Sequence, residues 1–191
     1  MRLRSRGWDV AALQFRLAWH GFPSGPFDGV LGGRGESALT RFQAWAHLAV
    51  DGIVGPATLR ALRRRPAVSP IPLHRPIAAP IGDGYGPRGD AFHAGVDFPA
   101  PRRTRVYAAA SGVVSAVGYV DGWGLRVTIA HRACVTTLYA HLSRAVVRVG
   151  QRVATGSFIG RVGSSGHATG PHLHLEAIVC GANTDPLRVL R

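Results

Sequence analysis

A chain of 191 residues has room for one or two domains, each with its own core. Its longest uncharged run, the fifteen residues from Val106 to Val120, falls short of the ~20 needed to cross a bilayer, and Met1-Arg2-Leu3-Arg4 carries no apolar leader. Twenty-three arginines, no lysine and ten acidic residues give a net charge of +13. Such a charge favours polyanions, but only Arg63-Arg64-Arg65 and Arg102-Arg103 cluster and no nucleic-acid motif accompanies them.

Residues 1–65 read as a small helical domain. Apolar residues recur at helical spacing as Val10, Leu13 and Leu17, then Leu39, Phe42 and Trp45, then Leu59 and Leu62. Within this segment Phe27-Asp28-Gly29-Val30-Leu31-Gly32 recurs 23 residues later as Val50-Asp51-Gly52-Ile53-Val54-Gly55. Each Asp-Gly marks a tight turn, and a helix is expected after each, over 36–45 and 56–64. Pro56 suits a first helical turn, where its missing N–H costs nothing. Together with Leu13-Gln14 and Arg41-Phe42-Gln43, these features resemble the three-helix peptidoglycan-binding domain over residues 3 to about 64. One departure is Leu31-Gly32-Gly33-Arg34-Gly35, which replaces the family's Gly-Pro-x-Thr-type helix start and its N-cap.

Residues 66–73 contain three prolines and read as a semi-extended linker. Residues 74–191 then turn to apolar runs broken by glycine, as β-structure requires. Val106 to Val120 reads as two strands around a turn at Ser111-Gly112. Near the end, Gly170-Pro171-His172-Leu173-His174-Leu175-Glu176 alternates along a strand, with His172, His174 and Glu176 on one face and Leu173, Leu175 and Ala177 on the other. Imidazoles taken out of water need a partner or a metal. Upstream, His93-Ala94-Gly95-Val96-Asp97 offers a His and an Asp four apart, and Tyr139-Ala140-His141-Leu142-Ser143 ends an apolar run with another His.

Taken in order, these motifs resemble the lysostaphin-type zinc endopeptidases of bacterial cell walls. The resemblance runs from about Ile77 to the chain end and includes Tyr85-Gly86-Pro87-Arg88, Gly122-Trp123-Gly124 and Asp185-Pro186-Leu187. It implies an α+β, two-domain chain, three helices followed by a mostly antiparallel sheet. It also implies one Zn²⁺ per chain held by His93, Asp97 and His174, with His141 and His172 as the catalytic pair. Two imidazoles and a carboxylate leave an open position for water, as hydrolytic zinc sites do. Arg88 and Tyr139 are expected to orient substrate. His20, His47, His74, His131 and His167 match no motif position and are expected at the surface.

The partner implied is peptidoglycan, with no nucleic acid, no membrane span and a monomeric chain. The place implied is outside the cell or at its wall, reached with a trimmed or misassigned start or by another export route. The alternative is a non-catalytic binding or activator protein of the same fold. Such members lack ligands or catalytic histidines, whereas all five residues are present here.

Two cysteines remain. If the strands carrying His141 and His172 pair antiparallel, Cys134 and Cys180 face each other across the ladder, and a Cys134–Cys180 disulfide is expected.

Overall fold

The computed structural model describes residues 1–191. Three helices come first: α1 (Trp8–Trp19), α2 (Gly33–Trp45) and α3 (Pro56–Ala61). Val10, Leu13 and Leu17 of α1 meet Leu39 and Phe42 of α2 in a core completed by Leu31, Val54 and Leu62. α2 starts ahead of Glu36 and α3 stops short of Arg64, so Leu62 packs while Leu59 stays outside. The N-cap of α2 is Gly32, which offers no side-chain bond. Gly35 follows for a packing reason: a Cβ there would lie 2.7 Å from Leu31 Cδ1, and Leu31 is fully buried.

The sequence repeat is also a hydrogen-bonding repeat. The Gln14 amide donates to Asp28 Oδ1 (2.8 Å) and the Val30 carbonyl (3.1 Å), and its oxygen accepts the Gly29 N–H (3.0 Å). Gln43 does the same to the second loop, donating to Asp51 Oδ1 (2.8 Å) and Ile53 O (3.0 Å) and accepting from Gly52 N (3.0 Å). Gly29 and Gly52 take φ +69° and +67°, the left-handed turn that favours glycine.

The remaining strands begin with a hairpin, β1 (Gly86–Arg88) and β2 (Ala91–His93). Nine more form one antiparallel sheet. They are β3 (Val96–Pro99), β4 (Arg105–Tyr107), β5 (Gly112–Val120), β6 (Gly124–Ala130), β7 (Val135–Ala145), β8 (Arg152–Val153), β9 (Phe158–Val162), β10 (His172–Val179) and β11 (Ala182–Thr184). The order is β11-β10-β7-β6-β5-β8, with β3 beside β10 and β9 bridging β7 and β4. Phe98, Val127, Ile129, Leu173 and Leu175 form its main core. The expected architecture of helices followed by an antiparallel sheet is the one observed.

Residues 66–73 are not a free spacer. Ile71 and Leu73 are buried in the sheet-domain core. Leu73 donates to the Val189 carbonyl (3.1 Å) and accepts from Arg191 N (2.8 Å). The two domains also dock directly. Trp19 packs its ring against Tyr85 and Phe92, with centroids 6.3 and 6.0 Å away. The Asn183 N–H donates to the Gly21 carbonyl (3.1 Å), and Ala182 joins the helical core. Gly21 (φ +90°) permits this approach, since a Cβ there would sit 2.1 Å from the Asn183 oxygen.

The β7–β10 ladder pairs Val135 with Val179, which brings Cys134 and Cys180 to adjacent ends. The Cys180 N–H donates to the Cys134 carbonyl at 2.8 Å. Both are exposed free thiols at φ +58° and +48°, and a hydrogen bond between their side chains raises the pKa of Cys180.

Candidate metal centre and catalytic cleft

Three strands deliver the expected ligand set to one point. β2 ends on His93, and Asp97 of β3 is the direct cross-strand partner of His174 of β10. Between His93 and Asp97 the chain must turn past the His174 ring. Gly95 makes that possible: a Cβ there would lie 2.4 Å from the Leu175 carbonyl and 2.8 Å from His174 Cε1. His174 Nδ1 lies 2.8 Å from Asp97 Oδ1 and 3.0 Å from His93 Nε2, and His93 Nε2 is 3.2 Å from the same carboxylate oxygen.

The outward nitrogens are already committed. His93 Nδ1–H donates to the Gly84 carbonyl (2.7 Å) and His174 Nε2–H to Glu176 Oε1 (3.1 Å). His93 Nε2, His174 Nδ1 and Asp97 Oδ1 are left facing one another. Burial alone would lower the pKa of His174, but its bonds to Asp97 and Glu176 outweigh that and raise it to about 9. Burial would raise that of Asp97, yet the hydrogen bonds from His174 and His93 hold it well below the usual carboxylate range. Three convergent ligand atoms suit a cation, and the N,N,O set suits zinc.

Glu176 is an addition that the motif reading left without a role. It is buried, receives Trp123 Nε1–H on Oε1 (2.8 Å) and Asn183 Nδ2–H on Oε2 (2.7 Å), and fixes the His174 ring. The alternation along β10 had placed it on the histidine face, which was the available signal.

His141 and His172 flank this centre with ring centroids 4.6 Å apart, and His141 lies 5.8 Å from the His174 ring. Their Nδ1–H groups donate to the Ser165 (2.7 Å) and Gly170 (2.9 Å) carbonyls, so the neutral tautomers present bare Nε2 atoms to the cleft. Burial, with smaller contributions from His172 and His174, lowers the pKa of His141 and keeps it neutral.

His141 has φ +57° and sits where the β6–β7 register slips between Leu125 and Val127. This bulge re-aims its side chain. It also explains a correction: Tyr139, expected to orient substrate, is fully buried on the core side. Its hydroxyl receives the Ala109 N–H (2.7 Å) and meets Thr137 (3.0 Å). In regular alternation Tyr139 would share the face of His141; the bulge separates them. Arg88 does line the cleft, with its guanidinium on Asp97 Oδ2 (2.9 Å) and Asp83 (2.8 Å). His47, His74 and His167 are exposed as expected, whereas His20 is buried in the helical domain against the Leu62 carbonyl (3.1 Å), and His131 is half-buried.

The cleft over these residues has a volume of about 760 Å³ and is shared between the domains, because Pro23 of the helical domain lines it together with Phe92 and His93. No helix is long and apolar enough to cross a membrane.

Residues 91–186 match Peptidase family M23, and residues 6–62 match a peptidoglycan binding domain. The DD-carboxypeptidase/endopeptidase Mpg of Neisseria meningitidis is 46% identical over 98 residues, which are 51% of this chain and 23% of Mpg. The match thus spans about a quarter of that relative's length. The catalytic domain of lysostaphin from Staphylococcus simulans shares 34% identity at a TM-score of 0.55, over 58% of this chain and 90% of that domain. A zinc-containing peptidase from Vibrio cholerae shares 30% identity at a TM-score of 0.58, over 61% of this chain and 39% of its own.

Proposed function

The chain belongs to Peptidase family M23, and from that premise we propose that it is a zinc-dependent peptidoglycan endopeptidase. It hydrolyses a peptide bond in the stem or cross-bridge of the wall. The observation that carries this reading is the convergence of His93, Asp97 and His174, with two bare imidazole nitrogens beside them in one open cleft.

His93 Nε2, Asp97 and His174 Nδ1 hold one Zn²⁺. When bound, the metal supplies Lewis-acid polarisation and lowers the pKa of a hydrolytic water. The remaining chemistry belongs to the chain. One of His141 and His172, neutral with a bare Nε2, accepts the proton of the water, and the other serves the developing oxyanion in the form that carries a proton on Nε2. Their backbone anchors at Ser165 and Gly170 fix which nitrogen does this. Glu176 holds the His174 ring, and Arg88 holds the second oxygen of Asp97. The alternative, a binding or activator protein of the same fold, is disfavoured because no member of this set is missing.

Zinc as the resident metal is supported by the donor set and by the zinc-containing structural relative. The helical domain supports peptidoglycan as partner and a site of action at the wall or outside the cell, with the chain acting as a monomer. The test is wall lysis by the purified chain with and without a chelator, followed by zinc restoration and mass spectrometry of released muropeptides. Lysis that proceeds at full rate in chelator refutes the metallopeptidase reading; the muropeptide masses identify the bond.

A further inference from the structure

Away from the cleft, the sheet carries a row of arginines that its fold does not require. Arg105 of β4 is the direct cross-strand partner of Arg161 of β9, and Arg161 is in turn the partner of Arg144 of β7. Directly paired side chains in an antiparallel sheet share one face with Cβ atoms ~5 Å apart, where like charges destabilise. Arg102 and Arg103, in the turn before β4, line one hollow with Arg144 and Arg161. None of the five meets a carboxylate; Arg88 is the one arginine in an ion pair.

The row is ordered despite its repulsion. The Arg105 and Arg161 guanidinia lie over the Phe158 ring at 5.6 and 5.4 Å from its centroid, and Arg161 donates to the Arg103 carbonyl at 2.8 Å. A pre-arranged, uncompensated row of guanidinia at strand spacing is matched by a ligand with a negative charge every few ångströms. A phosphodiester chain has that density, whereas stem-peptide carboxylates are more widely separated. Nucleic acid is disfavoured because Phe158, the ring beneath the row, is covered by arginines and offers no stacking platform. We propose that Arg105, Arg161 and Arg144, with Arg102 and Arg103, form a binding site for an anionic polyol-phosphate polymer of the wall.

The test uses the full chain and poly(glycerol phosphate), titrated from about 50 to 200 mM salt. Replacing Arg105, Arg144 and Arg161 together by Gln is expected to weaken binding roughly 10–100-fold and to reduce the log–log salt slope by about 2. The charge-matched control, Arg63, Arg64 and Arg65 to Gln, should stay within about twofold, because those charges lie outside the row. A second readout separates binding from structure: relieving the repulsion should raise the melting temperature of the row variant by about 1–3 °C. Equal losses in both variants, or a lowered melting temperature in the row variant, overturn the proposal. So does polyglutamate binding as tightly as poly(glycerol phosphate), or oligothymidylate binding more tightly.

Discussion

The helical domain and the sheet domain both bury polar side chains, and they use them in opposite ways. Around Gln14 and Gln43, each amide hydrogen has an acceptor and each carbonyl oxygen a donor. Such a closed set satisfies itself and holds two turns in shape. Around His174, two ring nitrogens and a carboxylate oxygen, each able to accept, point at one another at 2.8 to 3.2 Å. A surplus of acceptors in a buried place calls for a cation. What distinguishes a structural polar cluster from a functional one here is whether donors and acceptors balance, since burial is alike in both.

The largest expected effects test the unbalanced cluster. His174→Ala should abolish both zinc binding and hydrolysis, because it removes a ligand and the proton-bearing atom at once. His141→Ala should retain zinc and lose about 10²–10⁴-fold in kcat, the range for a general acid–base group. Metal analysis of both purified variants beside their rates decides the matter; a zinc-free His141→Ala refutes its assignment to proton transfer.

Glu176→Gln probes the support behind the ligand. Gln keeps the size but replaces the charged acceptor of His174 Nε2–H, and metal affinity should fall about 10–100-fold with the fold intact. Competition with a zinc chelator measures this. Unchanged affinity would show that packing orients the ring without the charged acceptor.

Gln43→Ala sharpens the comparison from the other side. It strands the buried Gly52 N–H and should cost about 1–3 kcal/mol of stability. Activity per folded molecule should not change, because no atom of that network reaches the cleft. Urea melts beside active-site titration separate the two, and a lowered kcat in fully folded variant would contradict the division.

The site was legible because its signals are periodic. His172 and His174 share a face by alternation, and that pattern is what β10 shows. Asp97 pairs with His174 across strands, as a His-x-Gly-x-Asp turn permits. Tyr139 was misplaced because alternation assumes regular pairing, and the bulge at His141 breaks it with a left-handed residue that carries no glycine or asparagine as a marker. The docking of the helical domain was hidden for a different reason. Ile71 and Leu73 look like linker beside three prolines, and the Trp19, Tyr85 and Phe92 contact joins residues more than sixty positions apart. Contacts of that range leave no local pattern.

The smallest expected effect follows from the proton that His174 carries in the metal-free site. In the metal-free chain His174 has its pKa raised to about 9 from an ordinary 6.5 through its bonds to Asp97 and Glu176, against the opposing effect of burial. The sign is that of a cation gaining partners: this contribution to stability is complete below pH ~6.5 and is lost as pH rises through the folded value. At pH 7.5 the metal-free site therefore still holds the proton on Nδ1, in the place a metal takes. Asp97 is already ionised there, since its own pKa lies below the usual range, so it has none to give. Zinc loading at pH 7.5 should release about one proton from this residue, and apparent affinity should rise with pH, levelling off near the folded pKa. Calorimetric titration in two buffers of different ionisation enthalpy counts that proton directly. A count near zero would mean that His174 is neutral in the metal-free site, and that its three inward atoms are held together by packing instead of a shared hydrogen.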